Sequence, residues 1–425
     1  MPALGLDFGT TNSALARATG DGVQLARFAL GEGWTDTFRS VLHFAAPSRG
    51  HGGELVAKAG PEALAAYLGS GEGRLLQSMK SYLADPAFES TSVFGRAMTL
   101  PQLLGQLLSS LRRDAEKDLG PLGRRLLVGR PVQFAHAGVK GDEALALGRL
   151  EGALATAGFD DVHFVFEPVA AAYYYERRLD HDEVILVGDF GGGTSDFTVA
   201  RVGPSRRRGE PAVIASDGVG LAGDALDGRL VEHVVAPALG LGTTYRSMFG
   251  KTLDMPVWPY ERLRRWHHLA LLKSRSTTEM LREIERSSSD PEAIEALREL
   301  IDDDLGFALY RAVESTKVAL SGSPTTRFSF ELASRAIDRS VERAEFDAWI
   351  TRELSSIASA IDRVMASSGL ATSDIDRVFL TGGTSLVPAV RRLFVERFGA
   401  DRLASGGELV SVASGLALMA HEQAG

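Results

Sequence analysis

The 425-residue chain is 44% hydrophobic and 24% charged, which places it in the soluble globular class, argues against a single small domain and leaves room for two or more cores. A formal charge of -9 offers no basic field to a phosphate backbone, so nucleic acid is not an expected partner. With no cysteine, disulfides, thiolate metal sites and thiol nucleophiles are excluded.

The opening MPALGLDFGTTNS lacks a secretory pattern and no later run is long enough for a membrane span, so a cytoplasmic protein without membrane contact is expected. Apolar runs at Ala3 to Phe8, Leu126 to Val128, Val162 to Phe166, Val184 to Val187 and Val378 to Leu380 read as buried strands. Helical spacing marks Leu103 to Asp118, Glu143 to Ala157, Pro168 to Arg178, Phe346 to Ser367 and Pro388 to Phe398. The mixture predicts an α/β fold. From Leu239 to Leu320 strand signals vanish and charged helices take over, broken at Pro256, Pro259 and Ser287 to Pro291, which reads as an all-helical insertion. Gly50 to Gly53 and the arginine-rich turn at Arg206 to Arg208 read as exposed loops, and Arg262 to Arg265 as a solvated face. A last helix is expected from Ser411 to Gln423.

An internal echo organises the chain. LDFGTTNS at Leu6 to Ser13 is answered by GDFGGGTSD at Gly188 to Asp196, and GGTS recurs at Gly382 to Ser385. A duplicated lobe using one turn twice is the simplest explanation, with a ligand between the copies. In the first turn Asp7 ends a strand and Gly9, Thr10, Thr11 and Asn12 follow. Glycine lets backbone N–H groups approach an anion, hydroxyls add donors, and a carboxylate holds magnesium through water. One such turn alone could equally be an Asp-capped hairpin. Gly191, Gly192 and Gly193 in succession, between Asp189 and Thr194, cost backbone entropy that a plain hairpin does not require. Two other phosphate signatures fail. GKT at Gly250 to Thr252 has Tyr245 where a P-loop needs glycine, and no kinase catalytic loop accompanies the DFG at Asp7 or Asp189.

GLDFGTTNS, VFEPVAAAYYYE with VGDFGGGTSD, AGDALD and LTGGTSLVP together resemble the DnaK-type heat-shock chaperones, over the whole chain and closest to the YegD-like branch. That resemblance implies the actin-like ATPase fold, two ribonuclease-H-like lobes closing on ATP and Mg2+ in an inter-lobe cleft. Lobe I would span 1–183 with 405–425 returning to it and a smaller subdomain at about 37–121. Lobe II would span 184–404 with the helical insertion at about 228–325, and no substrate-binding domain is expected. Carried over, Gly9, Thr10, Thr11, Asn12, Gly191, Gly192, Gly193 and Thr194 would cradle phosphates, and Asp7, Asp189 and Asp196 would flank the metal through water. Lys80 would orient the attacking water, with Glu167 completing its network. Gly223, Asp224, Glu314, Lys317 and Ser321 would hold the nucleoside, and Gly382, Gly383 and Thr384 would close the site. From the residues alone, Lys80 could be a solvated helix residue, Glu167 a helix-start carboxylate, and Glu314 with Lys317 a surface pair.

Three positions depart from the family pattern. Val318 and Leu386 stand where arginines sandwich adenine, and Leu409 where an aspartate lies, so base selectivity is in question. The leading expectation is a slow, Mg-dependent ATP hydrolase, acting as a chaperone-type conformational switch on client proteins with co-chaperones. A small-molecule kinase of the same superfold, a filament former and a non-hydrolysing nucleotide sensor are the alternatives.

Overall fold

The computed structural model describes residues 3–20, 22–45, 55, 57–70, 73–134, 142–177, 179–204, 212–265, 272–303, 305–404 and 411–423. Leu409, Gly50 to Gly53, Arg206 to Arg208 and the helix end at Arg178 lie outside them. Two compact units are present: residues 1–221, 357–385 and 393–425 form the first, and residues 222–356 and 386–392 the second.

The first unit holds two sheets of matching topology. In one, β1 (Ala3–Phe8), β2 (Asn12–Thr19) and β3 (Gly22–Leu25) meander antiparallel, while β4 (Arg125–Arg130) and β5 (Asp161–Phe166) add in parallel beyond β1, giving the order β5-β4-β1-β2-β3. The other repeats this with β6 (Glu183–Phe190), β7 (Ser195–Val202), β8 (Ala212–Val219), β9 (Arg377–Thr381) and β10 (Leu403–Ala404), in the order β8-β7-β6-β9-β10. The echoed motifs therefore occupy equivalent places: Asp7-Phe8 closes β1 and Asp189-Phe190 closes β6. β1 reads as a continuous apolar run because both of its faces are covered. Leu4, Leu6 and Phe8 pack with helices α1 (Leu100–Leu119) and α2 (Asp142–Thr156), whereas Ala3 joins the opposite core.

That opposite core is shared by both sheets. Ala14, Ala16 and Leu127 of one and Ile185, Val187 and Ala200 of the other meet α3 (Glu167–Glu176) and the helix Ser411–Glu422. The two helices cross closely because only small residues stand between them. A Cβ on Gly415 would lie 1.8 Å from the carbonyl oxygen of Ala170. Pro168 tolerates the first turn of α3, where its missing N–H costs nothing.

The second unit contains α4 (Gly223–Leu230), α5 (Gly306–Gly322) and several helices between them. Asp290 caps the helix Pro291–Asp302 by accepting from the Ala293 N–H at 3.1 Å, which explains the break read from the sequence there. The stretch is not all helical, however. Thr244–Arg246 pairs antiparallel with Thr252–Asp254, and Ser289 N–H donates to Thr244 O at 2.7 Å. Tertiary pairing overrides a locally weak strand signal. Gly250, Lys251 and Thr252 lie in this hairpin, with Gly250 at φ 75°, so the GKT has no phosphate-loop context. The expected single helix Phe346 to Ser367 is also divided, into Arg343–Trp349 and Thr351–Ser368.

Candidate functional site

In the first unit the ends of β1, β6, β7 and β9 bring carboxylates together. Strand register places Asp196 and Thr381 on either side of Asp189, on the two strands flanking it. The Thr381 hydroxyl donates to Asp189 Oδ1, and the Gln133 N–H donates to Asp196 Oδ1 at 3.1 Å. Thr381 and Gln133 had no signal in the sequence, because their roles arise from strand register and from the loop after β4.

Glu167 opens α3 and faces Lys80, which lies on the 3-10 turn Met79–Tyr82 rather than on a solvated helix. Lys80 Nζ donates to Glu167 Oε1 at 2.8 Å, with the two side chains only 11% and 8% exposed. Burial pushes the Lys80 ammonium down, yet Glu167, Asp7 and Asp189 outweigh it and its pKa rises. The neighbouring acids move the other way from their usual charged state. Asp7 is held well above the ordinary range, by burial first and then by Glu167 and Asp189, against the pull of Lys80. Asp189 is pushed up to about 6 by burial and Glu167, and Asp196 to about 8 by burial, Glu167 and Asp189. Lys80 faces three carboxyl groups, Glu167, Asp7 and Asp189, with Asp196 paired beside Asp189, and a further cation would relieve the excess.

The donors on offer are all oxygen, the set that hard divalent ions take. Among the described residues no group of three His, Cys, Asp or Glu side chains is arranged to hold an ion directly. This donor set fits magnesium, which keeps several of its waters and binds through few carboxylates.

Three turns border the cluster. In the first, Ser40 Oγ donates to Gly9 O at 2.8 Å and Ser40 N–H to Thr11 O at 2.9 Å, while a Cβ on Gly9 would lie 2.0 Å from Asn12 O. Arg39 donates to Asn12 Oδ1 at 3.4 Å. Thr10, Thr11 and Asn12 are half-buried. The second turn closes through Gly191 N–H to Thr194 O at 2.9 Å, with Gly191 exposed and Gly192, Gly193 and Thr194 half-buried. The third begins at Gly382, whose φ of 84° favours glycine and whose added Cβ would lie 1.9 Å from Phe190 O. There Gly383 is exposed and Thr384 buried.

The second unit gathers the other group. Lys317 on α5 donates to Asp227 Oδ2 at 2.8 Å and to Gly223 O at 3.5 Å, both on α4. Asp227 was not singled out in the sequence, yet it is the carboxylate that pairs with Lys317. Burial lowers the Lys317 pKa, but Asp227, Asp224 and Glu314 raise it further. Ser321 donates to Lys317 O at 3.2 Å, one turn along α5. Val318 and Leu386 are 64% and 63% exposed.

Two sheets of one topology, each ending its first strand in Asp-Phe before a glycine turn, make this an α/β protein of the actin-like ATPase fold. The chain belongs to the Hsp70 family: the family model described as Hsp70 protein matches residues 79–239 and 302–425. It is 25% identical to the chaperone protein DnaK of Deinococcus proteolyticus, with 98% of this chain and 59% of the relative covered. Against a chaperone protein DnaK of Thermus thermophilus it is 25% identical over 98% of this chain and 60% of the relative. The chain thus spans about three-fifths of the length of these curated relatives. Among the described residues no helix is long and apolar enough to cross a membrane.

Proposed function

We propose that the chain binds ATP with Mg2+ and hydrolyses it slowly, as a chaperone-type conformational switch in cytoplasmic protein quality control. The observation that carries this reading is the buried Lys80–Glu167 pair set among Asp7, Asp189 and Asp196. Two lobes, 1–183 with 405–425 and 184–404, would each supply a phosphate turn. Gly9 to Asn12 and Gly191 to Thr194 present N–H and hydroxyl donors to phosphate oxygens. Asp7, Asp189 and Asp196 would hold Mg2+, whose charge offsets that of the phosphates. Glu167 keeps Lys80 ionised and aimed. Lys80 then orients the water that attacks the γ-phosphate in line and stabilises the charge that builds there. Asp224, Glu314, Lys317 and Ser321, with Gly223, are assigned to the nucleoside, and Gly382, Gly383 and Thr384 to its closure. Client proteins and co-chaperones are the partners this reading implies.

The test is ATP binding and single-turnover hydrolysis with magnesium, comparing wild type with Lys80→Ala. Wild-type cleavage beside a variant that binds ATP yet cleaves it about 100-fold or more slowly supports the reading. Equal rates for the two proteins would remove it.

A further inference from the structure

Lys80 stands on a single short turn, which by itself would position it poorly. The residue before that turn, Ser78, is at φ 50° and 5% exposed, a left-handed conformation that a non-glycine residue keeps only when its surroundings hold it. The turn's own bonds are few: Ser81 N–H to Ser78 O at 3.0 Å and Leu83 N–H to Lys80 O at 3.1 Å.

Arg149 grips the backbone that follows Lys80. From α2, the two N–H groups of its Nη1 are shared among the carbonyl oxygens of Tyr82 at 2.9 Å, Leu83 at 3.0 Å and Asp85 at 2.9 Å, and its Nη2 donates to that of Phe88 at 2.7 Å. A planar guanidinium can span four carbonyls in this way, whereas an ammonium is a point donor. The helix beneath it is fixed, since Ala146, Leu150, Ala153 and Leu154 are buried in the core that also holds Leu83 and Ala84. The loop carrying Lys80 thus shares a core with α2 through Met79, Leu83 and Ala84, and Arg149 adds the polar tie between the loop's backbone and that rigid helix.

We propose that Arg149 is a positioning residue for ATP cleavage: its grip on residues 82–88 sets the Lys80 ammonium against Glu167. This inference rests on the catalytic role proposed for Lys80, and a double-mutant cycle separates the two. Single-turnover cleavage and ATP affinity are measured for wild type, Lys80→Ala, Arg149→Met, Arg149→Lys and the double variant Lys80→Ala/Arg149→Met. Arg149→Met is expected to slow cleavage about 10- to 100-fold, the cost of displacing a catalytic group by about 1 Å. ATP affinity should stay within about threefold, and Arg149→Met should add nothing in the Lys80→Ala background. Arg149→Lys should fall between wild type and Arg149→Met, and it carries the cycle if Arg149→Met does not fold. Wild-type cleavage by Arg149→Met overturns the proposal, as does an equal loss in both backgrounds or a parallel loss of ATP binding, each marking a general staple. If Lys80→Ala cleaves at the wild-type rate, it is the role of Lys80 that fails, and this inference with it.

Discussion

Asp196→Asn should make the protein more resistant to rising pH. In the folded chain Asp196 is 2% exposed and keeps its proton to about pH 8, whereas an unfolded aspartate releases it near 3.8. Between those values the folded state binds the extra proton. The stability this site contributes is thus complete below the unfolded pKa and is lost as pH rises through the folded one. From pH 5 to pH 8 the window covers about three pK units, which at 1.36 kcal/mol each is about 4 kcal/mol. Water entering with the charge relaxes part of that penalty, leaving about 2–4 kcal/mol. Asparagine carries no charge at any pH and retains a carbonyl oxygen for the Gln133 N–H. Urea denaturation of both proteins without divalent cations, in steps from pH 5 to pH 9, should show the variant gaining on the wild type by about that amount. A difference constant to within about 0.5 kcal/mol across the range would refute the reasoning.

Thr381→Val removes a donor that favours ionised Asp189, so the Asp189 pKa should climb above its present value of about 6, as read by carboxyl NMR titration. Gly415→Ala should destabilise the protein by about 2 kcal/mol or more in urea, because its Cβ would lie 1.8 Å from Ala170 O; an unchanged midpoint would mean the helix crossing yields easily. Asp227→Ala leaves Lys317 buried without its acid and should cost about 3–5 kcal/mol by the same assay, with the loss shrinking as pH rises and Lys317 sheds its proton.

Much of the fold was legible because its signals are local. The strand Ala3–Phe8 and the helix Pro388–Phe398 match their sequence ranges at both ends, since apolar period and flanking turn or proline agree there. The hairpin Thr244–Asp254 was missed for the opposite reason. Its closing bonds come from Ser287 and Ser289, about forty residues later in the chain, and its strands carry little apolar alternation. The division at Ile350 was hidden because helical spacing continues on both sides of it.

By itself the sequence determined the composition class, the duplicated Asp-Phe-Gly turns and hence the family, for these are runs of adjacent residues whose chemistry needs no partner to be read. Tertiary structure alone decided how those groups are charged and aimed. Lys80 meets Glu167 across 87 residues, Thr381 meets Asp189 across 192, and Arg149 reaches Phe88 across 61. Proton affinity follows the same rule. An aspartate at position 196 is ordinary in an extended chain and holds its proton to about pH 8 only where folding removes its water and gathers other acids around it.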